Sequence, residues 1–329
     1  MKKKITVVIL SAVLVALSVP VEAQQPGKIF RIGILDPSTA SGSAVLWGTF
    51  RQELHKLGWI EGKNITFEYR FAENKGPERQ RELAAELVRL KVDLIVTSGG
   101  PTPLEAKKAT STIPIVIASA PDPVAAGLVA SLGRPGGNVT GLSGLTPELI
   151  TKRLEILKDA IPKLSRVGVL RQPRGVLGDL QLGELRPAAL ALKLKLEEIE
   201  TQPDATGLES AFQTAKQKQV GAIMITAGPS FGAERKRIVE LATKHRLPAI
   251  YADKAFVEAG GLMSYGADYD DLYRRAAIYV DKILKGAKPA DLPVQQATKF
   301  EFVINLKAAK QIGLTLSPEF LSRANQVIK

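Results

Sequence analysis

DLIVTSGGPTPLEAKKATSTIPIVIA, residues 93–118, decides the fold. Residues 93–97 form an apolar run short enough for a strand, and it ends in Ser98-Gly99-Gly100. Residues 102–109 then read as a helix, and 113–118 as a second apolar strand. Neither strand alternates apolar with polar residues, so each is buried on both faces, as in a parallel sheet. A helix between two such strands is the crossover that parallel pairing requires.

The same alternation extends outward. Upstream, 31–36 is a strand, 43–57 a helix stopped by Gly58, and 65–71 a strand with Ile65, Phe67, Tyr69 and Phe71 on one face; a helix follows at 77–90. Downstream, 124–132 reads as a helix and 139–142 as a strand. The pattern then restarts. Thr146 with Pro147 is an N-cap and first-turn pair. Strands are expected at 166–170, 196–199, 222–226 and 248–251, separated by helices ending near 193, at 205–218 and at 232–245. Two consecutive runs of this kind predict an α/β protein with two parallel sheets, each covered on both faces. The tail is less regular: a strand at 260–266, a helix at 270–284, a linker at 289–293, a strand at 300–304 and two short helices.

The N-terminus reads as an address. Lys2, Lys3 and Lys4 precede an apolar run over 5–19, and Val21-Glu22-Ala23 ends in a small residue. That is a basic region, an apolar region and a cleavage site, so residues 1–23 are expected to be a signal peptide, with a retained anchor as the alternative. The expected localisation is periplasmic. Without cysteine the chain cannot be a lipoprotein, and disulfides, thiolate zinc sites and cysteine nucleophiles are excluded with it. Histidine is limited to His55 and His245, which argues against a multi-histidine metal site. No metal and no cofactor are expected. The formal charge is +12, but an exported protein rarely meets nucleic acid, and the excess is read as a solvated basic surface.

Catalytic motifs are scarce. No G-x-G tripeptide occurs, so the dinucleotide fingerprint is absent. GWIEGKN at 58–64 is one residue short of a P-loop between its glycines and is read as a turn. No G-x-S-x-G is present. What the chain offers is polar loops after strands, where open parallel sheets bind ligands. These are DPST at 36–39, SGGPT at 98–102, SAPDP at 119–123, TGLS at 140–143, RQP at 171–173, TAGPS at 226–230 and YAD at 251–253. Several precede helices, whose free N–H groups suit a carboxylate. Thr102 before Pro103 and Asp122 before Pro123 also read as helix caps.

Several blocks resemble one family. They are LGWIEGKNI at 57–65 with EYR at 68–70, IPIV at 113–116, DPV at 122–124, LGRPGGNVTG at 132–141, GGLMSYG at 260–266 and TKFEFVINL at 298–306. Together they resemble the ABC transporter substrate-binding proteins of the tryptophan/tyrosine-type group, over nearly the whole chain after residue 23. The resemblance implies a type I periplasmic binding fold. Two doubly wound lobes are joined by three crossings and close by hinge motion around a ligand, with an inner-membrane ABC permease as partner. Lobe one is expected at 28–145 plus about 255–290, and lobe two at 146–254 plus about 291–329. Ser98, Gly99, Thr102 and Ser119 are expected to meet the ligand from lobe one, and Thr226 and Tyr251 from lobe two. Asp122 either pairs with a ligand amine or only caps its turn. Arg171 and Arg174 stand where the family usually has Asn-Pro, and imply an acidic ligand or a different specificity. The protein is expected to be a monomer and not an enzyme. A secreted subunit presenting ligand to a sensor kinase is the alternative. An enzyme on the same scaffold would turn its ligand over, and a repressor would need a helix-turn-helix before residue 31.

Overall fold

The computed structural model describes residues 28–144, 146–173, 176–226 and 229–329; the expected signal peptide and Arg174 lie outside them. Two sheets organise the chain. The first contains β1 (Phe30–Asp36), β2 (Ile65–Phe71), β3 (Leu94–Ser98), β4 (Ile115–Ala120), β5 (Val139–Ser143) and β11 (Gln295–Gln296), in the order β2-β1-β3-β4-β5-β11. Every pairing in it is parallel. The second contains β6 (Arg166–Arg171), β7 (Lys195–Glu200), β8 (Ala222–Ile225), β9 (Ala249–Tyr251), β10 (Met263–Ala267), β12 (Phe300–Asn305) and β13 (Gln326–Ile328), in the order β7-β6-β8-β9-β10-β12-β13. There β12 runs antiparallel to β10, and the rest is parallel.

Both sheets bury both faces, as the uninterrupted apolar runs of β3 and β4 predict. On the first sheet, Ile32 and Ile34 pack under α1 (Ala44–Lys56), while Leu35 joins Leu83 and Leu87 of α2 (Pro77–Arg89) on the other side. Helix α3 (Thr102–Ala109) packs beside α2. Trp47, Phe50 and Leu54 form the buried stripe of α1 at helical spacing. On the second sheet, α4 (Thr146–Ala160) and α5 (Val176–Ala191) cover one face; α6 (Ala205–Gln217), α7 (Pro229–Ala233) and α8 (Arg235–Lys244) cover the other. A short α9 (Lys254–Glu258) precedes β10.

The tail returns to the first sheet. Helix α10 (Tyr269–Leu284) starts at the N-cap Asp268, whose carboxylate accepts from Asp271 N–H, with Asp270 and Asp271 in its first turn. Its buried face, including Leu272, Tyr273, Ala276 and Val280, packs on the first sheet beside α1. The chain closes through α11 (Leu306–Ile312) and α12 (Pro318–Leu321) beside the second sheet.

Three differences from the sequence reading stand out. Residues 124–132 form turns rather than a helix, held by contacts such as Ala126 N–H to Asp122 O at 3.0 Å and Leu128 N–H to Pro123 O at 2.9 Å. The helix expected at 232–245 is two pieces that meet at Glu234. Residues 255–267, expected with the first lobe, lie with the second sheet, because β10 pairs with both β9 and β12; β11 instead pairs with β5.

Candidate functional site

Parallel pairing determines where a site forms. Strand β5 leaves the first sheet at its carboxyl end to enter the second unit, and β10 leaves the second sheet at its carboxyl end to return. Apart from β12 and β13, all strands of each sheet point the same way as these two. The carboxyl ends of both sheets therefore face one gap, crossed at 143–146, 267–269 and 296–300. The crossings are tied together: Ala297 N–H donates to Ser143 O at 2.8 Å, and Asp268 N–H donates to Lys299 O at 2.9 Å. This gap is where open α/β sheets bind ligands.

On the first side, β1 delivers Asp36, 2% exposed. Its carboxylate accepts from Ser38 N–H at 2.7 Å, from Trp47 Nε1–H at 2.8 Å and from the Ser98 hydroxyl. Burial pushes its pKa up from the ordinary carboxylate value, against the pull of these donors. Ser98 also bonds to the Tyr273 hydroxyl, whose pKa burial raises strongly, with Asp36 adding to the rise. Ser98 is thus built into a polar network that fixes the end of β3. Gly99 follows at φ +89°, and its N–H donates to Ser119 O at 2.8 Å, so the turn needs glycine.

Thr102 lies one residue past the N-cap of α3, which is Pro101 with no side-chain bond. The cap expected at Thr102 is absent because its position is already helical. Its hydroxyl is fully buried and has no partner. Ser119 is buried at the end of β4. Asp122 accepts from Val124 N–H at 3.0 Å and Ala125 N–H at 2.9 Å, so it caps a turn.

On the second side, Thr226 donates its hydroxyl to Leu170 O at 3.2 Å at the end of β8. Tyr251 is 1% exposed and stacks on Phe256 at 4.5 Å between ring centroids, inside the core cluster with Ile223 and Phe212. Its hydroxyl has no partner, and burial raises its pKa. Alternation along β9 explains this: Ile250 joins the cluster on the α4 side and Tyr251 the one opposite. Arg171 is engaged by Asp179 of α5 at 2.6 Å and by Glu200 of β7, so its charge is paired on the second side of the gap.

Sequence reasoning missed Arg153. It lies on the apolar stripe of α4 with Ile150, Leu154 and Leu157, and is 1% exposed. Nη1 donates to Tyr265 O at 3.0 Å, while Nε and Nη2 have no partner. Burial pulls its pKa down to about 10, opposed by Tyr269 and Tyr265 nearby. The signal was a basic residue at i+3 in an otherwise apolar stripe, where unpaired charge is rare. Among the described residues, no group of three or more His, Cys, Asp or Glu could hold a metal ion, and no helix is long and apolar enough to cross a membrane.

The relatives agree with this architecture. A curated "Tyrosine-binding protein" from Clostridioides difficile (strain R20291) is 30% identical over 268 residues, covering 80% of this chain and 75% of that protein. The structure of an ABC domain in complex with L-Trp from Streptococcus pneumonia superposes with a TM-score of 0.83 at 27% identity, covering 92% of this chain and all of that one. The ligand-free, open structure of a substrate binding protein with adhesive properties from Clostridium difficile gives 0.71 at 26% identity, covering 92% and 99%. The family profile described as "ABC transporter substrate binding protein" matches residues 34–328. With that match running through both sheets and all three crossings, the chain belongs to the ABC transporter substrate binding protein family, a binding component of transport rather than an enzyme.

Proposed function

We propose that the protein is an exported, periplasmic monomer that captures a free amino acid between its two sheets and delivers it to an ABC permease in the inner membrane. The observation that carries this is the convergence of two parallel sheets' carboxyl ends on one gap bridged by three crossings. The lobes are taken as 28–143 with 268–297, and 146–267 with 298–329. An aromatic amino acid is favoured, because the relatives are named for tyrosine and L-Trp. Arg171 does not weigh against it, since Asp179 and Glu200 already take its charge. Ser98, Gly99, Thr102 and Ser119 form the first lobe's contribution; the hydroxyl of Thr102, buried without a partner, supports a polar solute there.

Greater likeness to the L-Trp complex than to the open structure, at near-equal identity, supports reading the present arrangement as closed. Closure is favoured only by the solute's extra affinity for that state. The test is a thermal-shift panel on protein unfolded and refolded to strip bound solute, with amino acids, small carboxylates, purines and sugars. A solute at 100 times its Kd adds about 2.7 kcal/mol of stability. Stabilisation by amino acids supports the reading. Natively refolded protein that responds to no amino acid contradicts it.

A further inference from the structure

Among the described residues, several charged groups around the gap have charged or backbone partners. Asp36 accepts from Ser38 N–H, Trp47 Nε1–H and the Ser98 hydroxyl. Lys254 is paired with Asp270 and Glu301, and Arg171 with Asp179 and Glu200. Asp253 caps α9 through Ala255 N–H at 2.8 Å. Arg153 differs. It is fully buried, and no carboxylate among the described residues lies within 4.0 Å of it. A buried cation left in this state is costly.

Position and shape say what the guanidinium can hold. Tyr265, whose carbonyl Arg153 holds, lies in β10 just before the 267–269 crossing. Tyr269, past that crossing, is within electrostatic reach of both Arg153 and Tyr273, and Tyr273 bonds to Ser98. Arg153 thus lies buried between α4 and β10, close to the 267–269 crossing, and Tyr269 links that crossing electrostatically to Tyr273. Its end nitrogen Nη1 is used, while Nε and Nη2 are free. Those two N–H groups form the side edge of the guanidinium, which donates in parallel to the two oxygens of one carboxylate.

We propose that Arg153 is the acid anchor of the site, and that its Nε/Nη2 edge binds the carboxylate of the captured solute. The inference rests on the solute-binding reading above and deepens it: the solute must carry a carboxylate.

The experiment is a titration of purified wild-type protein, Arg153→Gln and Arg153→Lys with four probes. L-Tyrosine and L-tryptophan carry the carboxylate, and tyramine and tryptamine lack it. Wild type should bind each amino acid about 100-fold more tightly than its amine, the cost of removing one partner of a buried charge pair. Arg153→Gln should lose that preference, binding the amino acid about 100-fold more weakly and the amine as wild type does. Arg153→Lys, which keeps charge but not the fork, should fall between. Equal loss on acid and amine would mark Arg153 as merely structural and overturn the inference. So would an Arg153→Gln variant that binds amino acids like wild type. If neither variant folds, the wild-type preference decides alone, and equal binding of tyrosine and tyramine overturns the inference. Failure of wild type to bind either amino acid, with no amino acid stabilising it in the thermal-shift panel, removes the solute reading and the anchor with it. Binding without an Arg153 effect removes the anchor only.

Discussion

Lys254 Nζ lies 2.8 Å from Asp270 Oδ2, and the two residues sit on opposite sides of the hinge. Lys254 begins α9, which packs on the second sheet, and it also reaches Glu301 of β12 at 3.2 Å. Asp270 is in the first turn of α10, which packs on the first sheet. Burial alone would depress the lysine pKa, but the two carboxylates outweigh it and the net shift is upward. The pair therefore holds one relative position of the lobes. Lys254→Met should weaken solute binding about 5-fold, from about 1 kcal/mol for a partly exposed pair. Calorimetric titration checks this, and the unfolding midpoint of the unliganded protein should move little.

The sequence contains two tryptophans, and they have different surroundings. Trp47 donates to Asp36 beside the Ser98 network, whereas Trp59 donates to Asp281 at 2.9 Å on the outer part of α10. Any fluorescence change on solute binding should come from Trp47. It should persist in Trp59→Phe and vanish in Trp47→Phe.

The Asp36 environment sets a pH dependence. Because its native pKa is raised, the folded protein takes up this proton before the unfolded chain does as pH falls. Relative to Asp36→Asn, wild type should therefore gain stability as pH is lowered through the raised value. The gain should level off below the ordinary value of 3.8. Urea unfolding of both proteins between neutral pH and pH 4 measures it, and a difference that widens against wild type on acidification would contradict the assignment.

Gly266 is fixed by close approach. A Cβ there would sit 1.9 Å from Ala252 O, a backbone atom that cannot rotate away. Gly266→Ala should cost more than about 3 kcal/mol, read from urea unfolding, because β10 could no longer lie against the end of β9.

The alternation that predicted two parallel sheets survives because β3, β4 and β8 and residues 32–36 of β1 are buried without interruption on both faces. The short elements were less legible. Residues 124–132 carry helical spacing but are held as turns by Asp122 and Pro123, a local competition that periodicity does not register. The tail was ambiguous because β10 and α10 are consecutive yet serve different sheets, and only the pairing of β10 with β9 and β12 decides that.

Two of the family blocks lie away from the site. Asn138, in the most specific block, donates to Thr110 O at 3.0 Å and Ile113 O at 2.8 Å ahead of β5. Asn64 locks the turn ahead of β2 through Gly58 O and Ile60 N–H. Both lie at amino ends of strands, away from the gap, so these blocks report how the fold is made. Ser98 was legible as a loop residue, but its partners Asp36 and Tyr273, and the Trp47 that also holds Asp36, come from three separate segments. Tyr251 was legible as an aromatic at a strand end, but strand alternation turns it into the core.

The most direct test of the account is calorimetric titration of solute-stripped wild-type protein with L-tyrosine and L-tryptophan. The account predicts saturable binding of one amino acid per chain, with the solute recovered unchanged. Absence of heat with both, in protein that unfolds cooperatively and is natively folded, would contradict it.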